Sequence, residues 1–225
     1  MNYSTFSDWR LSLQSAGENV VHASLPFYVL AESQPKPGQP DWVEVACYQR
    51  KGNGEGMLAY LSLVDALLDG QSLNRSGRNF QAAPLETVDP RHFLNTHDNW
   101  LSIYTVYGFA ASGDKLVTDG LGNLQALTQV THFRIEPEDA NHLHLNFGEN
   151  AVNWLDKLHR TAGLPDYARM IEDMTESSVA EIERHAQDAL RQVVAPIVGS
   201  SDITHCALYD IIEGGWRFAA LENLA

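Results

Sequence analysis

The segment from Leu101 to Phe147 constrains the fold of this chain most. Four stretches, Leu101 to Ala111, Lys115 to Thr118, Asn123 to Ile135 and His142 to Phe147, have the texture of strands. The gaps hold Ser112-Gly113-Asp114, Asp119-Gly120 and Glu136-Pro137-Glu138-Asp139, each a turn signal. Short turns join antiparallel neighbours, so this region is expected to be an antiparallel meander.

The last third changes character. Asn150 to Thr161 reads as a helix ended by Gly163, and Pro165 to Met174 as a second. Ser178-Val179-Ala180-Glu181 is a capping-box pattern opening a third, with Val179, Ile182, Ala186, Leu190 and Val193 as its apolar face before Pro196. A hairpin closes the chain: Ile203 to Ile212, a Glu213-Gly214-Gly215 turn, then Trp216 to Leu221. Strands and helices do not alternate as βαβ units. The expected class is therefore α+β, an antiparallel meander sheet packed with several helices and closed by a C-terminal β-hairpin.

Toward the N-terminus, residues 5 to 15 predict a helix from the spacing of Phe6, Trp9 and Leu13, with Gly17 beyond. Val20 to Ala31 and Trp42 to Arg50 predict strands, separated by a loop at Pro35, Pro37, Gly38 and Pro40. The clearest helical pattern runs from Gly56 to Leu68 and stops at Gly70, on the apolar face of Met57, Leu58, Leu61, Val64, Leu67 and Leu68. Residues 71 to 88 read as a surface loop, and Asp89-Pro90 as an N-cap and first helical position of a short helix to Thr96. Residues 1 to 225 are expected to form one α+β domain. The 71–88 loop is the place for any subdivision, and 150–196 is a helical segment.

Charge bears on partners. The chain has 29 acidic and 15 basic side chains in 225 residues, a net of −14. Nucleic acid and anionic membranes both need neutralising Lys and Arg, so neither is an expected partner. With 44% hydrophobic residues and only 20% charged, the chain has the apolar material for a sizeable core. The sequence opens without the basic and apolar blocks of a secretory signal, and no apolar run is long enough for a membrane helix. Cys47 and Cys206, in strand-like runs, suit buried thiols of a reducing compartment. Together these point to a cytoplasmic protein.

Several side-chain groups could carry chemistry. On a strand, His142 and His144 share a face. If Thr131 to Phe147 formed a hairpin with His132 opposite His144 and Arg134 opposite His142, His132, His142 and His144 would converge as three ligands of an open zinc site. The competing reading is a polar face of a half-buried hairpin. Arg50, Lys51, Gly52 and Gly54, before the predicted helix, offer N–H groups and positive charge to an anion; a plain connecting loop is the alternative. His92, His97 and Asp98 supply a His-Asp pair without a nucleophile elbow. His205 and Cys206 are adjacent, and on a strand they face opposite ways.

The acidic excess is uneven. Residues 1–112 hold 11 acidic and 7 basic side chains, a net of −4, whereas residues 113–225 hold 18 and 8, a net of −10. Asp166, Glu172, Asp173, Glu176 and Glu183 fall mainly off the apolar stripes of their helices; solubility alone accounts for such a face, and the alternative is a docking surface for a basic protein. The leading expectation is thus a non-enzymatic acidic binding module, an adaptor, inhibitor or immunity-type protein, with no cofactor. The alternatives are a metal-assisted hydrolase built on the histidines and a structural subunit of a homo-oligomer.

Overall fold

The computed structural model of the chain describes residues 11–15, 20–34, 42–50, 54–75, 77–136, 142–199 and 202–224. The elements run in chain order as β1 (Leu11–Ser15), β2 (Val20–Ala23), β3 (Tyr28–Gln34), β4 (Trp42–Val45), β5 (Cys47–Arg50), β6 (Gly54–Tyr60) and α1 (Leu63–Asn74). Next come β7 (Gln81–Pro84), α2 (Pro90–Thr96), β8 (Trp100–Ser112), β9 (Lys115–Thr118), β10 (Ala126–Arg134) and β11 (His142–Phe147). The chain ends with α3 (Glu149–Thr161), α4 (Tyr167–Glu176), α5 (Val179–Arg191), β12 (Ile197–Val198), β13 (His205–Asp210) and β14 (Gly215–Ala220). At this coarse level the class is α+β.

Strand β8 organises the main sheet. Every residue from Leu101 to Ala111 is buried, as expected of an almost uninterrupted apolar run covered on both faces. Along one edge β8 pairs in parallel with β6 (Ile103 to Val106 against Met57 to Tyr60) and then antiparallel with β13 (Phe109 to Ala111 against Ala207 to His205). It also pairs antiparallel with β10 and with the start of β9. The change of neighbour from β6 to β13 coincides with a bulge. Leu127 lies opposite Gly108 but Thr128 opposite Val106, leaving Tyr107 as the extra residue.

Alternation along β8 distributes its side chains among three clusters. Leu101, Ile103 and Tyr107 join Leu155 and Leu158 of α3; Tyr104 and Val106 join Leu30, Tyr60 and Phe80 on the opposite face. Beyond the bulge, Phe109 and Ala111 meet Val64 and Leu68 of α1 and Ile182 and Ala186 of α5. Each fully buried side chain of this kind contributes about 2 kcal/mol through removal of apolar surface from water.

The pairing corrects the meander. Among the described residues three pairs are parallel: β6 with β8, β9 with β12, and β2 with β11. A parallel pair needs a crossover, and α1, β7 and α2 supply it between β6 and β8. β10 and β11 do not pair with each other. β11 lies in a separate small sheet between β1 and β2.

The helix expected over 56–68 is two elements. Gly54 to Tyr60 is a strand, and α1 begins only after Ser62, whose Oγ accepts from the Asp65 N–H at 3.3 Å. The apolar positions of a buried strand and of the following helix happen to add up to one helical period. Gly70 is inside α1 with a Cβ position 2.9 Å from Leu30 Cδ2, so it permits close packing rather than ending the helix. Residues 71 to 88 are likewise more ordered than a loop: α1 continues to Asn74, and Gln81–Pro84 pairs with β3. The helix expected over 5–15 falls outside the described residues up to Arg10, and Leu11–Ser15 is strand.

Other local signals form as expected. Asp89 caps α2 through the Arg91 N–H at 3.0 Å, and β13 and β14 pair antiparallel. At α5, Ser178 Oγ accepts from the Glu181 N–H while Glu181 accepts from the Ser178 N–H, a complete capping box. Replacing Ser178 by Ala should therefore cost about 1 kcal/mol, read as a melting-temperature loss of a few degrees; an unchanged melting curve would show that α5 does not depend on this cap. The apolar face of α5 is Ile182, Ala186 and Ala189; Val179 is exposed.

Candidate functional site

The three histidines are placed by two different sheets. His132, exposed on β10, lies opposite Ser102 of β8, with Nδ1 2.8 Å from Ser102 Oγ. His144 is half-buried on β11, between Gln14 of β1 and His22 of β2, and His142 starts the same strand opposite Val20. The hairpin register that would bring them together does not form. Ile135, Leu143 and Leu145 enter one common core, with Phe133 against it, so the alternating polar positions His132 and His144 turn away from that core. Among the described residues no three His, Cys, Asp or Glu side chains converge as a metal site.

The Arg50 to Gly54 segment is the β5–β6 hairpin, with Arg50 paired to Gly54, rather than the start of a helix. The helix-dipole geometry expected for an anion is accordingly replaced; Lys51 and Gly52 lie outside the described residues. His97 is stacked on Phe93 at 3.9 Å with its Nδ1 2.8 Å from the Phe93 carbonyl oxygen, and its Nε2 lies 3.7 Å from Glu55. The side chain of His92 lies outside the described residues. Cys206 is buried as expected, whereas Cys47, also expected to be buried, is exposed on β5; burial, with Asp65 nearby, pushes the Cys206 thiol well up.

The acidic helices present their carboxylates unevenly. Asp166 Oδ1 is 3.7 Å from Arg160 Nε, and Arg169 binds both Glu172 (3.1 Å) and Asp173 (3.0 Å). Hydrogen bonds from Ser178 hold Glu181 below the ordinary carboxylate range. Glu176 and Glu183 are exposed, with no ion pair among the described residues.

Sequence reasoning overlooked a second acidic feature, carried by α1. Asp65 and Asp69 are four residues apart and both 5% exposed. Asp69 reaches the wall of a large groove, about 1250 Å³, bounded by the β5–β6 hairpin, the C-terminal part of α1, α2 and the segment from Asp119 to Thr128. Asp65 instead lines a small cavity of about 30 Å³ with Ser62, His159 and Tyr167. The two carboxyls lie one turn apart on the same side of α1, and each lines a different space.

Burial dominates the electrostatics of both acids. It pushes Asp65 up to about 7, with the neighbouring Asp69 adding to the shift. It pushes Asp69 up to about 6, although the Tyr60 hydroxyl, donating at 2.5 Å, pulls the other way and Asp119 adds to the rise. Around the cavity, burial drives His159 down to about 4, opposed by its contact with the Pro165 carbonyl oxygen 3.2 Å from Nδ1. The Tyr167 hydroxyl donates to the Leu61 carbonyl oxygen at 2.7 Å.

In the groove, burial is the largest single influence on Asp119 and raises it, but hydrogen bonds from Asn123, Leu121 and Gly122 together outweigh this and hold it below its ordinary value. Arg78, at the same groove, is bound to Glu32 at 2.9 Å and stacked over Phe80 at 4.5 Å. The groove therefore joins apolar and aromatic surface from Leu58, Leu73, Phe80, Phe93 and Leu124 to carboxylates from Glu55, Asp69 and Asp119. Such a lining suits a ligand that is cationic and partly apolar.

One signal for this feature was legible: Ser62-x-x-Asp65 is a helix-start pattern, and two acids four apart in an apolar helix share a side of it. Their link to Asp119 and Tyr60 was not, because it spans separate elements. No helix among the described residues is long and apolar enough to cross a membrane. Set against family models, curated proteins and solved structures, the chain matches none of them.

Proposed function

We propose that this chain is a non-enzymatic binding module for a basic protein, acting as an adaptor, inhibitor or immunity-type partner in the cytoplasm. The observation that carries the reading is the exposed face of α4 and α5, where Glu172, Glu176 and Glu183 stand in solvent within a half of the chain whose net charge is −10. Arg169 moderates Glu172 and Asp173, which leaves Glu176 and Glu183 exposed with no ion pair among the described residues. Carboxylates displayed in this way speed association with a basic surface and penalise acidic competitors.

The test is affinity capture from the native host, at low and high salt, with the parent chain and a Glu172→Lys, Glu176→Lys, Glu183→Lys variant. The expected result is a basic protein whose capture falls about tenfold or more on charge reversal and weakens with salt, since exposed charges are screened over roughly 10 Å at moderate ionic strength. Equal capture by both chains, or a captured set without a basic protein, overturns the reading.

A further inference from the structure

We propose that the groove bounded by the β5–β6 hairpin, α1, α2 and the Asp119–Thr128 segment is the docking site for a short cationic and apolar segment of that basic partner. A cationic side chain is seated against Asp69 and Asp119, with its apolar neighbours on Leu58, Phe80 and Leu124. The assignment rests on the basic-partner reading and names a site within it, on other elements than the acidic face of α4 and α5.

Size is the first argument. At about 1250 Å³ the groove exceeds the roughly 300 to 1,000 Å³ of ordinary small-molecule pockets, so it accommodates a stretch of chain. Composition is the second. Leu58 and Phe80 are 7% and 9% exposed and Leu124 is 6% exposed, so the groove wall is continuous with the packed core and positions apolar contacts firmly. Charge complementarity is the third. Among the described residues Arg78, the arginine lining the groove, is bound to Glu32, and His97 lies 3.7 Å from Glu55, so neither is directed at Asp69 or Asp119. A guanidinium or ammonium group brought to Asp69 meets a carboxyl that is almost out of water and within the field of Asp119, where attraction is stronger than on an open surface. Displaced water and an apolar flank then favour a segment in which cationic and apolar residues are mixed over one that is only cationic.

The test uses the full chain and fluorescently labelled synthetic peptides of equal length: Lys with Leu, Lys with Ser, and Glu with Leu, each spaced by Gly. Fluorescence anisotropy should show the Lys/Leu peptide binding about tenfold or more tighter than either control. Asp69→Asn with Asp119→Asn keeps an acceptor for the Tyr60 hydroxyl and for the Leu121 and Asn123 backbone N–H groups, gives up only the acceptor of Asn123 Nδ2, and should remove most of that preference; Glu55→Lys, at an exposed position, is the second variant and should weaken binding too. The α4–α5 charge reversal should leave peptide binding nearly unchanged. If the Lys/Leu peptide binds no better than Lys/Ser, or if all groove variants bind like the parent, the docking assignment is overturned. Partner capture that is still salt-sensitive and dependent on Glu176 and Glu183 would then leave the basic-partner reading standing, whereas loss of basic-protein capture overturns that reading itself.

Discussion

An Asp65→Asn variant should be more stable than the parent at pH 8, with the gap closing as the pH is lowered and vanishing below about pH 4. Asp65 has a folded pKa of about 7 against an ordinary value of 3.8. Between those values the folded chain holds a proton that the unfolded chain has lost, so the contribution of this group is fully present below 3.8 and is lost as pH rises through 7. At 1.36 kcal/mol per unit, the loss amounts to about 4 kcal/mol for a carboxyl with no hydrogen-bond donor among the described residues. In a chain of 225 residues that corresponds to a melting-temperature gain of roughly 8 to 16 °C for the amide at pH 8. Asp69, also raised, acts in the same direction up to about pH 6. His159 acts in the opposite one: its folded pKa of about 4 lies below 6.5, so its stabilising contribution is lost as pH falls between those values. For this reason the comparison of variant with parent, rather than either profile alone, isolates Asp65. Melting curves of the two chains that stay parallel from pH 4 to pH 8 would show that Asp65 is ionised and solvated in the folded protein.

A Gly108→Ala substitution should be among the most damaging single changes in the chain. The β8 bulge places Gly108 at φ +151°, a region that L side chains rarely occupy, and an added Cβ would fall 2.5 Å from Cys206 Sγ and 3.0 Å from the Ala207 carbonyl oxygen. Neither neighbour has room to move, since both belong to buried positions of β13. Backbone strain and overpacking each cost about 1 to 3 kcal/mol, so a combined loss of about 3 kcal/mol or more is expected. Gly120→Ala is the control, because nothing lies within 4 Å of its Cβ position. Denaturant titration should show a large drop in midpoint for the first variant and almost none for the second. A Gly108→Ala chain within 1 kcal/mol of the parent would mean that β8 and β13 do not approach closely here.

The elements that could be read from the chain share a physical cause. β9 and β11 are bounded as their turn residues indicate, Asp89-Pro90 opens α2, and Ser178 with Glu181 opens α5. Each of these is decided within a few residues by backbone hydrogen bonds and side-chain caps. Where local preference was ambiguous, the expectation failed. Met57, Leu58 and Leu61 are equally suited to a buried strand and to a helix, and what makes Gly54–Tyr60 a strand is its pairing with Ile103 to Val106, more than forty residues away. Gly56 belongs there because a Cβ would sit 2.7 Å from the Ser102 carbonyl oxygen of β8, a contact visible only once the two strands are side by side.

The same division applies to the sites. The acidic excess of residues 113–225 and its exposure on α4 and α5 follow from charge and helical periodicity, which act within one element. Asp65 and Asp69 owe their unusual protonation to something else: α1 packed against β6, α5 and the Asp119 segment strips water from carboxyls that would be ordinary on an exposed helix. His132 and His144 show the converse, since histidines close in sequence were carried apart when β10 joined β8 and β11 joined β1 and β2. Helix starts, turns and net charge are local and can be read along the chain. Strand partners, buried charge and the groove arise from non-local burial, which rewards whichever pairing removes the most apolar surface from water.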